Sequence, residues 1–192
     1  DNVNHIGDRD KELMLMAIRS DAAYYIDKAE KWLYVKNNVD QSFYYLVSLV
    51  RVIAQIEVII NGQVPLREVI LQALTLNPTF FKKIYTDLIH KKKDKEALQR
   101  VLALIKQYLD DKSSTIYRPI LKYLADVGEE RSWSELDQHF GLEKLGLGIN
   151  YSVLAQEGII FPTSSPIRIT SKSTVKMEEP AYYYDGSVDK EV

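Results

Sequence analysis

The sequence predicts a mainly α protein, in which an antiparallel helical bundle precedes a small winged helix-turn-helix with a short β-hairpin. Apolar residues recur at helical spacing through about the first 110 residues. Capping residues, glycines and prolines separate these stretches by short connections, which is typical of antiparallel bundles. After about residue 115, three short helical stretches precede two short apolar runs, the element order of a winged helix-turn-helix.

The first two helices are predicted from capping residues and apolar spacing. Asp8 or Asp10 can cap the first helix, whose pattern allows an interruption near Ser20. Asp40 can cap the second helix, and Gly62 can end it because glycine readily adopts the left-handed conformation of a helix stop. The core stripe of the first helix is predicted to comprise Ala22, Ile26, Ala29 and Leu33.

Two prolines and an aspartate mark the remaining helices of the bundle. Pro65 precedes a predicted helix over residues 66–76. Pro78 can open another helix because proline is favoured in a first helical turn. Asp94 is predicted to begin the last helix of the bundle. The apolar face of that helix comprises Leu98, Val101, Leu102, Ile105 and Leu109.

Charged and hydroxyl residues at 111–115 interrupt the apolar periodicity. This interruption predicts a boundary between a helical bundle over residues 1–112 and a winged helix-turn-helix domain with a C-terminal tail over residues 115–192. The second domain is predicted to begin with a helix over residues 115–125. Pro119 then falls near the first turn of that helix, where proline costs least.

The rest of the second domain is predicted to contain two more helices and the hairpin. Ser132 can cap a short helix with Glu135 as the partner in a capping box, and a third helix over residues 145–157 stops at Gly158. Residues 159–161 and 167–170 are apolar runs that a Pro/Ser segment separates, so they predict the two hairpin strands. The tyrosines near the chain end form either a last strand or a segment that packs across this domain.

Composition excludes several kinds of site. The chain of 192 residues has no cysteine and three scattered histidines, so it has no disulfide, no cysteine nucleophile and no conventional zinc site. The most apolar stretch, Phe43–Ile60, is interrupted by polar residues, so we expect no transmembrane helix. The polar start of the chain is not followed by the apolar region of a signal peptide, and we expect a cytoplasmic protein.

No catalytic residue and no metal ligand is predicted. The eight glycines form neither of the glycine-rich motifs that bind phosphates through a loop and a helix start. Asp8 and Asp10 could share a metal ion on a strand, where alternate side chains lie on one face. On the predicted helix their side chains diverge, so we interpret them as part of a helix start.

The second helix combines an apolar circumference, typical of a buried helix, with one polar stripe. The stripe comprises Gln41, Tyr44, Ser48, Arg51 and Gln55. It is either a solvent face or a groove that receives a ligand or a neighbouring domain, with Tyr24, Tyr25, Lys28 and Trp32 as the opposite wall. In the groove interpretation, the candidate substrate-binding residues are Tyr44, Ser48, Arg51, Gln55, Tyr25 and Lys28. Arg51 is the best anion ligand because its planar guanidinium presents paired donors.

Charge argues against tight DNA binding. From Arg118 onward the chain has eight Lys or Arg and twelve Asp or Glu, a balance of −4. Phosphate contacts supply much of the affinity for DNA, and the predicted third helix contains neither lysine nor arginine. The candidate nucleic-acid contacts are Lys144, Asn150, Tyr151 and Arg168, but a winged helix that contacts protein is favoured. The basic segment 91–95 is interpreted as a solvated loop between helices rather than a phosphate contact.

Two segments carry a resemblance to a family. Residues 22–33 (AAYYIDKAEKWL) and 40–47 (DQSFYYLV) resemble the helical domain of bacterial nucleotidyltransferase-like proteins of the YgxA type. That family joins an N-terminal nucleotidyltransferase fold to a helical substrate-binding domain and a C-terminal helix-turn-helix. Its helical domain is similar to the second domain of kanamycin nucleotidyltransferase and to HEPN bundles. The resemblance covers the helical half of this chain and, more weakly, the winged half.

The resemblance implies that this chain is the C-terminal part of a longer protein. The Gly-Ser turn followed by an Asp-x-Asp or Asp-x-Glu pair, which binds Mg²⁺ in the family's catalytic domain, is absent, as is the arginine–histidine signature of HEPN ribonucleases. Magnesium and a nucleotide are therefore implied only for an N-terminal domain, and this chain is expected to have no cofactor of its own.

We accordingly expect a non-catalytic substrate-recognition and accessory region. Its expected partners are its own nucleotidyltransferase-like domain and, in a homodimer, a second copy of the chain. Two alternatives stay open: a transcriptional regulator whose helical domain senses a ligand or dimerises, and a protein-interaction module.

Overall fold

The computed structural model describes residues 7–141, 148–170 and 173–186. The chain divides into two compact units, Asp1–Ile116 and Tyr117–Val192. It is mainly helical, with a three-stranded antiparallel sheet near the C-terminus, which confirms the predicted fold class.

Two long antiparallel helices form the centre of the first unit. Helix α1 spans Asp8–Glu30 and continues into a π-helical turn, Lys31–Val35, while α2 spans Val39–Ile60. The antiparallel direction is fixed at both ends: the Lys11 Nζ donates to the Ile60 carbonyl at 3.0 Å, and the Ser42 Oγ donates to the Ala29 carbonyl at 2.9 Å.

The starts of these helices differ from the prediction. Gly7 occupies the N-cap position of α1, with Asp8 and Asp10 in the first turn, where they complement the helix dipole. Asn38, not Asp40, caps α2, because its side chain accepts from the Gln41 amide at 2.9 Å. No interruption occurs near Ser20, since α1 is continuous there.

The remaining helices of the first unit are shorter. Helix α3 spans Val69–Leu76, α4 spans Pro78–Phe81, a π-helical turn spans Lys82–Thr86, α5 spans Asp87–His90 and α6 spans Lys95–Asp111. Pro78 opens α4 as predicted, while the Asn77 side chain caps it. Asp94 caps α6 as predicted, accepting from the Ala97 amide at 3.0 Å.

The core of the first unit centres on α2. All five predicted apolar residues of α6 are buried, as are Ala22, Ala29 and Leu33 of the α1 stripe, whereas Ile26 is partly exposed. By length and composition α2 could cross a membrane, contrary to the sequence expectation, but 56% of its most apolar window is buried inside the unit. A core helix passes the same test, so this feature is weak support for a membrane span.

The second unit has the element order predicted for a winged helix-turn-helix. Helix α7 (Ser113–Val127) contains the boundary between the units and is followed by β1 (Arg131–Ser132), α8 (Trp133–Phe140), α9 (Tyr151–Gln156), β2 (Phe161–Thr170) and β3 (Ser173–Tyr183). The strand order is β1-β3-β2. Ser132 and Glu135 form the predicted capping box, and the Ser134 hydroxyl and amide donate to Glu179 of β3.

Three predicted elements of this unit are corrected. The hairpin forms between β2 and β3, so the predicted Pro/Ser turn at 162–166 is part of β2. Within the described sheet, β2 is an edge strand next to β3, and prolines are tolerated in an edge strand. Pro119 lies beyond the first turn of α7, which starts at Ser113. The third helix begins at Tyr151 within the described residues, rather than before it, and ends ahead of Gly158, which has a φ of 70°.

Candidate functional site

The polar stripe lies on the outer face of α2. Tyr44 is 63% exposed and Arg51 is also exposed, while Gln41, Ser48 and Gln55 are partly buried. The Ser48 hydroxyl donates to the Tyr44 carbonyl at 3.3 Å, within the same helix. Within the part of the chain that the structure describes, Arg51 has no ion pair, so its guanidinium is available to an anion from solution.

An aromatic pair also lies on α1. Tyr24 and Tyr25 pack edge to face with centroids 5.3 Å apart, and the Lys28 Nζ lies 5.2 Å from the Tyr24 ring centre. Tyr44 forms an equivalent pair with Tyr45 at 5.4 Å. The alignment of Ala29 with Ser42 places these two aromatic pairs at the same end of the α1–α2 hairpin.

Arg51 lies further along the stripe. It is seven residues after Tyr44, which corresponds to about 10 Å along the helix axis. A ligand that contacts both residues must therefore span about two helical turns. Ser48, between Tyr44 and Arg51, and Gln55, one turn after Arg51, share the same face and could hydrogen-bond to such a ligand.

A buried carboxylate lies on another face of α2. Glu57 is 7% exposed, and its Oε2 accepts from the Tyr108 hydroxyl of α6 at 2.6 Å. Its Oε1 accepts from the Asn61 side-chain amide at 3.3 Å. Burial, together with this hydrogen bond and the charge of Glu57, raises the pKa of Tyr108 well above its usual value. The hydrogen bond joins α2 to α6, so the cluster is structural. Sequence reasoning missed it, although a single carboxylate in an apolar run was its signal.

A second polar cluster lies in the winged unit, around a pocket of about 420 Å³. Its lining residues are Tyr123, Glu129, Arg131, Glu135, Gln138 and His139. The Arg131 Nη1 lies 2.8 Å from a Glu129 oxygen, and the Tyr123 and His139 rings stack at 3.7 Å. Burial lowers the pKa of Arg131, but its hydrogen bonds to Glu129 and Tyr123 outweigh that effect and raise it. The ion pair with Glu129 occupies the Arg131 guanidinium, so the described residues of the cluster offer no free cation to an anionic ligand.

The candidate nucleic-acid contacts are not brought together. Tyr151 is 1% exposed and therefore cannot reach a base edge, which corrects that interpretation. Asn150 is exposed, and its side-chain oxygen accepts from the Ser152 hydroxyl at 2.6 Å. Arg168 belongs to β2, where it pairs with Thr174 in the register, and Lys144 lies outside the described residues.

No group of three or more histidine or carboxylate side chains that could hold a metal ion occurs among the described residues. Among these residues, the α2 stripe offers an exposed polar surface.

The comparisons with known proteins identify a similar fold. No family model matches the chain, and no curated protein matches it. A solved structure does match: a nucleotidyltransferase-like protein from Exiguobacterium sibiricum, with a TM-score of 0.72 and 15% sequence identity. The match covers 93% of this chain and 60% of that one. The chain thus has the fold of part of a nucleotidyltransferase-like protein, and at this identity the likeness shows the fold alone.

Proposed function

We propose that this chain is the non-catalytic substrate-recognition region of a nucleotidyltransferase-like protein. The observation that carries the proposal is the fold likeness over 93% of the chain to 60% of such a protein. Because the match covers only part of that protein, the proposal includes a further domain that would bind the nucleotide and the magnesium ion and provide the catalytic carboxylates. That domain is the principal partner in the proposal, a second copy of the chain is another, and the expected location is the cytoplasm.

The α2 stripe is the proposed substrate surface. Arg51 carries a positive charge that no described carboxylate neutralises, and its planar fork matches a phosphate or carboxylate group. Tyr44 lies about 10 Å from Arg51 along the helix axis, and its exposed ring is suited to stacking on a second part of the same molecule. Tyr25 and Lys28 extend the surface at the Tyr44 end.

The test is a transfer assay on the complete reading frame that encodes this chain. Arg51→Ala should raise the KM for the acceptor or nucleotide by about 10- to 150-fold, because a charged hydrogen bond contributes ~1.5–3 kcal/mol. Its melting temperature should stay close to that of the wild type, since Arg51 is exposed.

Arg67→Ala is the matched control, because Arg67 is also exposed and lies outside the stripe. It should leave KM unchanged. Equal effects of the two variants, or no effect of Arg51→Ala on KM, would contradict the role of the stripe. The absence of a Gly-Ser turn with an Asp-x-Asp pair upstream in the reading frame would contradict the proposed function as a whole.

A further inference from the structure

A cleft on the helical unit has an apolar floor and a cationic rim. It lies between the segment that ends in α5 and the start of α6, with a volume of about 220 Å³. The floor includes Leu88 and Val101, which are 5% and 6% exposed, with the partly buried Ala97 and Leu104 beside them. The rim consists of the exposed side chains Lys83, Lys91, Lys92 and Arg100.

The helical periodicity of both segments explains why these residues meet. On α6, Ala97, Arg100, Val101 and Leu104 recur at intervals of three and four residues and therefore share one face. On the opposite side, Lys83 and Asp87 lie four residues apart, and Lys91 follows the end of α5. The cleft is thus built by two helical segments, and Lys91 and Lys92 of the loop between them supply only part of its charge.

The rim of the cleft carries more positive charge than the nearby carboxylates neutralise. Asp87 lies in the cleft and pairs with Lys91 at 2.8 Å, and this hydrogen bond holds the pKa of Asp87 below its usual value. Lys92 approaches Asp94 at 3.5 Å, but that pair is largely exposed and contributes little. Neither Lys83 nor Arg100 lies within 4 Å of a described carboxylate oxygen, although the charge of Arg100 contributes to the lowered pKa of Asp94 after the backbone hydrogen bond from Ala97. The cleft therefore keeps a net positive charge.

We propose that this cleft binds a small organic phosphate, with the phosphate held by Lys83 and Arg100 and the organic body on the apolar floor. A phosphate accepts hydrogen bonds from several cations at once, and an arginine fork with a lysine point charge suits it. The volume is below the ~300–1,000 Å³ of pockets for drug-sized ligands, which favours a small molecule over a segment of a macromolecule. None of the α2 stripe residues lines the cleft, so this site is independent of the proposed substrate surface.

The test uses the 192-residue chain and phenyl phosphate as the probe, with amide chemical-shift titrations as the readout. Phenyl phosphate should bind more tightly than inorganic phosphate and more tightly than phenol, because it alone uses both the rim and the floor. The double variant Lys83→Ala/Arg100→Ala should raise its Kd about 10-fold or more. Leu104→Glu, which adds a carboxylate beside the floor, should have a similar effect.

A charge-matched double variant, Arg9→Ala/Lys31→Ala, removes two exposed cations from elsewhere on the helical unit. It should change the Kd less than about twofold, because screening weakens distant exposed charges at about physiological salt. An equal loss in this control would overturn the proposal in favour of diffuse electrostatic attraction. No binding of phenyl phosphate, or binding no tighter than that of phosphate or phenol alone, would also overturn it.

Discussion

At the scale of residues, Glu57 is a carboxylate in the apolar interior of the helical unit, and its neighbours satisfy it. Tyr108 donates a hydrogen bond of 2.6 Å to one oxygen, and Asn61 donates one of 3.3 Å to the other. Phe80 stacks on the Tyr108 ring at 4.7 Å. A buried polar group of this kind stabilises only while its partners are in place, because a lone buried charge is costly.

The Tyr108→Phe variant should therefore lower the free energy of unfolding by about 1.5–3 kcal/mol at neutral pH, since it removes a hydrogen bond to a charged group. Urea unfolding followed by circular dichroism measures the change. Tyr44→Phe, at an exposed position, is the matched control and should alter stability by less than about 0.5 kcal/mol. Equal stability of the two variants would show that the Tyr108 hydroxyl contributes nothing.

The raised pKa of Tyr108 predicts that the protein loses stability at high pH. The pKa of Tyr108 is raised in the folded state, first by burial and then by Glu57, above its ordinary value of 10.0. Because the pKa is higher in the folded state than in the unfolded state, the stability that protonated Tyr108 contributes is complete below pH 10. This contribution falls as pH rises above that value. Melting temperatures between about pH 8 and 11 should fall less steeply for Tyr108→Phe than for the wild type. Parallel curves would contradict this prediction.

At the scale of elements, helix ends are predictable where a single side chain decides them. Asp94 and Ser132 each cap the helix that the sequence assigned to them. The start of α2 was missed because Asn38 and Asp40 are both good caps, and the choice depends on where the π-helical turn after α1 ends. The prolines of β2 were read as a turn because the sequence does not show that this strand lies at an edge.

Two variants can separate the cap of α2 from its neighbour. Asn38→Ala should lower the free energy of unfolding by about 1 kcal/mol, because the Gln41 amide loses its acceptor. Asp40→Ala, in the first turn, should cost only about 0.3–1 kcal/mol through the helix dipole, and this smaller effect should shrink in high salt. Urea titrations at low and high salt measure both, and a larger, salt-independent loss for Asp40→Ala would reassign the cap.

At the scale of the whole molecule, the sequence predicted the fold class but not the cleft on the helical unit. Helical spacing is a local property, so it predicts each helix and its apolar face. Tertiary packing brings Lys83 and Arg100 to the same cleft. In the sequence, only the lysines of the loop between them form a cluster. The sequence does not predict the burial of Tyr151 for a similar reason, because the burial of a tyrosine depends on which elements pack over it.

The chain by itself should not turn over nucleotides. No group of three or more histidine or carboxylate side chains that could hold a metal ion occurs among the described residues, and the sequence has no glycine-rich phosphate loop. Incubation of the purified chain with labelled nucleoside triphosphates, Mg²⁺ and candidate acceptors should give no transfer above background. Transfer that disappears when a residue of this chain is substituted would contradict the proposed non-catalytic role.

Duplex DNA should bind weakly and without sequence preference. The chain from Arg118 onward has a charge balance of −4, and α9 has no lysine or arginine among its residues Tyr151–Gln156. Tyr151 is buried, whereas Asn150, the other described candidate contact in that segment, is exposed. Since phosphate neutralisation provides most non-specific affinity, the Kd should be no tighter than the usual ~10⁻⁴–10⁻⁶ M at physiological salt.

Fluorescence anisotropy with random and genomic duplexes, repeated at several salt concentrations, measures this affinity. The slope of log K against log salt reports how many phosphates are neutralised, at about 0.9 per contact. A protein-contacting winged unit should give a shallow slope, and Asn150→Ala should leave the titration unchanged. Nanomolar, sequence-selective binding that Asn150→Ala weakens would instead favour a transcriptional regulator, because a base contact contributes ~1–3 kcal/mol of discrimination.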